Sequence, residues 1–134
     1  MKVRQQGGFT LIEMLIVIFI VSLIFSVALP VTMRSFQRYA ASLEAEKVLV
    51  LMSKVQRGAF AMGFDSYVKT VDGLIFVNGE ENSIPDVFAR LDKPIIFYGN
   101  GTTSGGRLVV YVNDFTFSVT VAAPFGSITM SQDA

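Results

Sequence analysis

The sequence contains no cysteine and no histidine. Without cysteine there can be no disulfide framework, no thiolate nucleophile and no Cys-ligated metal. Without histidine the chain lacks the commonest general base and the commonest metal ligand, so hydrolytic chemistry loses its usual agents. No excess of one charge is present either. Eleven basic and eleven acidic side chains give a formal net charge of zero, and the Lys and Arg residues are scattered. That distribution leaves no electrostatic footprint for nucleic acid or for an anionic membrane surface. The chain reads as non-enzymatic, with no cofactor, no metal and no small-molecule substrate expected.

What the sequence has in abundance is apolar surface. Hydrophobic residues make up 51% of the 134, and the mean hydropathy of +0.53 is high for a soluble domain. This length holds one domain and at most one membrane segment. Residues 14–33 are twenty consecutive uncharged positions dominated by Leu, Ile, Val and Phe, about what a helix needs to cross a hydrocarbon core roughly 30 Å thick. Lys2 and Arg4 precede the run and Arg34 and Arg38 follow it, so counting cations does not set its orientation. A secretory signal peptide would have a shorter apolar stretch and a small-x-small site on its far side. The far side here reads Leu29-Pro30-Val31-Thr32-Met33-Arg34.

The distinctive feature is at the near edge, where Gly7-Gly8-Phe9-Thr10-Leu11-Ile12-Glu13 sets two glycines before the apolar run and one carboxylate just inside it. Gly8 has no side chain to hinder approach to the bond after it, and the glycine pair interrupts any helix entering from the leader. An acid within a membrane helix is costly and usually functional. For Glu13 two readings stay open: a helix-end carboxylate favoured by the helix N-terminus or snorkelling to the interface, or an acid that meets a positive group of a neighbour. Pro30, deep in the helical pattern, removes one backbone hydrogen bond and favours a kink. Ser22 and Ser26 can bond back to the preceding turn and soften the same stretch.

The segment from Gly8 to Glu13, with the short basic leader before it and the unbroken apolar helix after it, resembles the cleavage and methylation motif of type IV pilins and type II secretion pseudopilins. The resemblance covers residues 1–30. It implies that a prepilin peptidase cuts between Gly8 and Phe9 on the cytoplasmic side and methylates the new Phe9 amine. It implies too that Glu13 pairs with the Phe9 ammonium of a neighbouring subunit and so sets the stagger of assembly. Cleavage would leave 126 residues carrying nine basic and eleven acidic side chains. The expected organisation is a leader (1–8), a membrane and assembly half-helix (9–33) and a periplasmic domain (34–134), anchored by a single pass in the bacterial inner membrane and assembled into a periplasmic filament.

Beyond the membrane run an apolar stripe continues at helical spacing through Ala41, Ala45, Val48, Met52, Val55 and Ala59, while Arg38, Glu44, Glu46, Lys47, Lys54 and Arg57 mostly occupy other faces. No Pro or Gly interrupts residues 31–57, so one helix is expected to run from the membrane to about Met62. After Gly63 the period becomes two. Ser66–Val71 and Leu74–Val77 read as strands joined at Asp72-Gly73, with Asn78-Gly79 closing the second. Residues 80–92 read as an irregular loop with a short turn of helix, 94–98 as a strand and 100–106 as a flexible turn. In residues 108–121, a turn at Asn113-Asp114 sets Val112 against Phe115, Val110 against Phe117 and Leu108 against Val119. That makes one apolar surface to cover the helix stripe, with Val109, Tyr111, Thr116 and Ser118 on the other face. Residues 127–130 form a last strand after Pro124-Phe125-Gly126. The fold class expected is α+β: a long N-terminal helix packed against an antiparallel β-sheet, the pilin-like layout.

Ile95, Phe97, Gly105, Gly106 and Gly126 further resemble the hairpin and final strand of minor pseudopilins of the H class. The missing disulfide departs from many major type IV pilins. A tail with Asp133 alone departs from the acidic calcium loop of major pseudopilins. Other patterns carry no site. Asp72, Glu80, Glu81, Asp86 and Asp92 lack the alternate spacing of a calcium loop, and Gly99-Asn100-Gly101 is not followed by the Lys-Ser/Thr of a phosphate loop. Phe64, Tyr67 and Phe125 are candidates for exposure, but only Lys69, Arg90, Lys93 and Arg107 could accompany them in binding single-stranded DNA. The resemblance implies a minor pseudopilin of type II secretion. Its partners would be other pilin or pseudopilin subunits, the prepilin peptidase and an inner-membrane assembly platform. The alternatives are a minor type IV pilin for motility, adhesion or DNA uptake, and an ordinary single-span membrane protein left uncut at Gly8.

Overall fold

The structure, a computed structural model, describes residues 7–133; the leader cations Lys2 and Arg4 lie outside the described residues. In chain order the elements are α1 (Leu11–Met62), β1 (Ser66–Val71), β2 (Leu74–Val77), β3 (Glu80–Glu81), β4 (Phe88–Leu91), β5 (Ile95–Phe97), β6 (Gly106–Val112), β7 (Phe115–Ala122) and β8 (Ser127–Gln132). By its internal contacts the chain divides between Gln37 and Arg38 into an N-terminal unit and a folded unit.

In the N-terminal unit, α1 starts at Leu11 and every described side chain is exposed. Among the described residues this unit has nothing of its own to bury its Leu, Ile, Val and Phe side chains, an apolar surface that lipid or other chains could cover. Among the described residues this is the one helix long and apolar enough to cross a membrane. Ser22 Oγ donates to the Ile18 carbonyl at 2.7 Å and Ser26 Oγ to the Leu23 carbonyl at 2.8 Å, the back-bonds expected of them; Thr32 does the same to Ala28 at 2.8 Å. These bonds give each hydroxyl a partner without water. The helix continues through Pro30.

In the folded unit the rest of α1 presents Ala41, Ala45, Val48, Met52 and Ala59 to the core, with Val55 half-buried beside them. These are the stripe residues read from helical spacing. Small alanines at three of the positions let the sheets approach closely. The helix ends at Met62, and Gly63 takes the left-handed conformation (φ 69°) that terminates helices without a Cβ penalty.

The antiparallel β-structure is divided into two four-stranded sheets, β3-β2-β1-β5 and β4-β6-β7-β8. Asp72-Gly73 and Asn78-Gly79 close the β1–β2 and β2–β3 hairpins with positive φ at both residues, the turn geometry that matches strand twist. The β6–β7 register is the one that alternation predicts: Val112 opposes Phe115, Val110 opposes Phe117 and Leu108 opposes Val119. Five of these six are buried, and Phe115 packs half-buried against the same core. Ile95 and Phe97 of β5, Val68 and Ile75 complete the packing with the helix stripe.

One expectation is corrected. Residues 80–92 are not a loop with a turn of helix. They contain β3 and β4, and β4 pairs along its length with β6. The inward residue of β4 is Ala89, with Phe88 and Arg90 pointing out, so its alternation is too weak in hydrophobicity to be seen in four residues. Ser118 lies opposite Val109, on the face expected of it, and is 1% exposed there. Arg107 and Asp133 fold over it.

Candidate functional site

The N-terminal motif is built by the start of α1. Residues 7–10 are irregular and exposed, and helix begins at Leu11. The Gly8–Phe9 bond therefore lies in open backbone, and Phe9 is 80% exposed. A Cβ added to Gly7 or Gly8 would meet nothing within 4 Å, and neither glycine has a left-handed φ. The fold does not require glycine at either position. A requirement for it must come from outside the chain, as with a protease whose cleft admits only bare backbone.

Glu13 is held by Thr10. The Thr10 amide donates to Glu13 Oε2 at 2.7 Å and the Thr10 hydroxyl to the same oxygen at 3.1 Å, while the Glu13 amide donates to Thr10 Oγ1 at 3.2 Å. This reciprocal arrangement is a capping box, with Thr10 as N-cap and Glu13 three residues on. It satisfies two amides that the first turn cannot pair, and the Met14 amide then donates to the Thr10 carbonyl at 3.2 Å. Among the described residues both contacts to the carboxylate fall on Oε2, which leaves Oε1 to accept from another donor. Thr10 was missed as a functional residue. Its signal was the Thr-x-x-Glu spacing directly before an apolar run.

The folded unit adds a second polar cluster that sequence did not show. Ser118 Oγ donates to Asp133 Oδ2 at 2.6 Å, Arg107 Nη2 donates to Ser118 Oγ at 2.6 Å and to Asp133 Oδ1 at 3.2 Å. The Asp133 amide donates to the Thr116 carbonyl at 2.9 Å. The cluster ties the end of β8 to β6 and β7, and its parts are all satisfied by one another, which marks it as a structural clasp. Among the described residues no three acidic side chains converge into a metal-holding group. Phe64, Tyr67 and Phe125 are exposed as expected (75%, 50% and 84%). The glycines of the H-class pattern serve close packing: a Cβ on Gly105 would press on the Val121 carbonyl and the Ala123 amide, and one on Gly106 would press on Ile95.

Residues 3–29 match the family model for the prokaryotic N-terminal methylation motif. The match takes in the glycine pair, Phe9, Thr10, Glu13 and the apolar helix up to Leu29. No curated protein and no solved structure matches the chain.

Proposed function

We propose that this chain, a type IV pilin-like subunit by its methylation motif, is cut between Gly8 and Phe9 by a prepilin peptidase, N-methylated at Phe9 and assembled into a filament as a minor pseudopilin of type II secretion. The observation that carries the proposal is the order of features along the motif: an exposed Gly8–Phe9 bond, a carboxylate at the fifth residue beyond it held by the Thr10 cap, then an apolar helix whose side chains are exposed.

Cleavage would convert the Phe9 amide into an ammonium. In a medium of low dielectric an ammonium and a carboxylate attract far more strongly than in water, and Glu13 Oε1 is free to take the ammonium of an adjacent copy. A subunit in the wrong register would leave the acid unpaired, so the pair selects the stagger. Thr10 holds the carboxylate in place meanwhile. Pro30 cannot donate to the Ser26 carbonyl, which makes this turn the place for the helix to bend during packing. With the leader cytoplasmic, the folded unit would lie in the periplasm. The assignment to secretion draws support from the absence of a cysteine pair and from the H-class glycines, which are packing positions. Loss of exoprotein release on deleting the chain fits this assignment, whereas loss of DNA uptake or motility with secretion intact replaces it by a minor type IV pilin.

The test of processing and assembly is mass spectrometry of the native protein's N-terminus together with the Glu13→Ala variant. The expected mature chain begins at N-methylated Phe9, and Glu13→Ala is inserted and cleaved but missing from the filament. A native chain beginning at Met1, or normal co-assembly of Glu13→Ala, would refute the proposal.

A further inference from the structure

A β-sheet edge offers unpaired backbone donors and acceptors to any extended chain, and proteins cover or blunt their edges for that reason. The two sheets here have four edges, β3, β5, β4 and β8. Three are protected. β3 is two residues long, and both are glutamates. Along β5, Phe97 bridges to Thr103, the Ile96 amide donates to Ser104 Oγ at 2.9 Å and the Ser104 amide donates to the Ile96 carbonyl at 3.0 Å. β4 is tied to the β1–β2 hairpin, where the Ala89 amide donates to the Gly73 carbonyl at 2.9 Å and the Leu91 amide to Thr70 Oγ1 at 2.8 Å.

β8 has none of these devices. It runs for six residues, Ser-Ile-Thr-Met-Ser-Gln, with no charge and no proline. In an antiparallel ladder successive residues bond alternately toward the partner and away from it. The Asp133 amide donates to the Thr116 carbonyl, and Ser118 opposes Ser131. The odd-numbered residues therefore bond to β7, while Ile128, Met130 and Gln132 direct their amides and carbonyls outward. Ile128 and Met130 are only half-buried where they lean on the core, and Thr129 and Ser131 on the opposite face are exposed.

We propose that β8 is a self-pairing edge whose occupant is the β8 of a second copy of this chain. The strand is complementary to itself. Placed antiparallel about a two-fold axis through Thr129, Ile128 of each copy faces Met130 of the other, and their outward backbone groups exchange four hydrogen bonds. The two half-exposed apolar residues then cover one another, and no like charges meet. Such a contact is isologous, so it closes with two copies and does not propagate. It uses no part of α1 and does not rest on the filament reading.

Because the chain is free of cysteine, a single introduced thiol reports directly. Thr129 would stand opposite its own copy at a non-hydrogen-bonded position, where Cα atoms are about 4.5 Å apart, within disulfide range. The experiment uses the full-length protein in detergent. Thr129→Cys should form a disulfide-linked dimer on mild oxidation, and Asn100→Cys, at an exposed turn, should not. In pull-downs between differently tagged copies, Thr129→Lys and Thr129→Glu should each lose self-capture, and mixing the two should restore it. Equal cross-linking at 129 and 100 would assign the contact to collisions between membrane helices and overturn the proposal. So would absence of the 129 cross-link, or self-capture of Thr129→Lys at the level of the unsubstituted chain.

Discussion

Replacing Thr10 by alanine removes the hydroxyl that accepts from the Glu13 amide and steadies the Glu13 carboxylate. Thr10→Ala should therefore fray the first turn of α1, raising amide exchange at Glu13 and Met14 by about fivefold, as a typical lost N-cap does. Hydrogen exchange in detergent measures this, and unchanged protection would show that the cap holds nothing. A different residue-scale constraint acts at Gly99. A Cβ there would overlap the backbone of Gly63 and come within 2.8 Å of the Phe64 amide nitrogen. The Gly99 amide also donates to Asp65 Oδ1 at 3.0 Å, locking the end of α1 to the turn after β5. Backbone cannot yield as a side-chain tip can, so Gly99→Ala should cost about 1–3 kcal/mol, the usual range for overpacking. A lowered unfolding midpoint checks it. From sequence Gly99 stood out only as part of Gly99-Asn100-Gly101, which is no phosphate loop, since the segment it presses against is about 35 residues away in the chain.

At the scale of elements, the helix stripe and the β6–β7 hairpin were legible because each depends on a local period. Spacings of three and four placed Ala41, Ala45, Val48, Met52 and Ala59 on one face, and alternation about Asn113-Asp114 fixed the hairpin register. β4 was not legible: its four residues pair with β6 seventeen to twenty-three positions on, and only that pairing makes Phe88–Leu91 a strand. The clasp of Arg107, Ser118 and Asp133 is the same kind of object. Three strands must be in register before the side chains meet, and Asp133 by itself reads as a solvated tail acid. Asp133→Ala should unpin the end of β8 and lower stability by about 1 kcal/mol. The cost stays small because the Arg107 side chain is more than half exposed and its ion pair is screened. Denaturant unfolding of the variant tests this, and a loss of several kcal/mol would mean that the clasp supports more than the strand end.

For the whole molecule, the exposed apolar side chains of residues 11–37 set the dominant requirement. One copy alone would present that surface to water, so the chain should remain in the membrane pellet through an alkaline carbonate wash and need detergent for release. Release by carbonate would contradict a membrane anchor. The long apolar run, the methylation motif and the apolar faces of helix and hairpin were readable from sequence, because all of these are periodic or contiguous along the chain. It took the folded arrangement to show that Glu80–Glu81 and Phe88–Leu91 are strands, that the β-region forms two sheets, that Ser118 is buried and that, among the described residues, the edge of β8 is left unprotected. Those properties belong to pairings between distant segments. A strand's neighbours, not its own residues, determine which of its backbone groups remain unbonded.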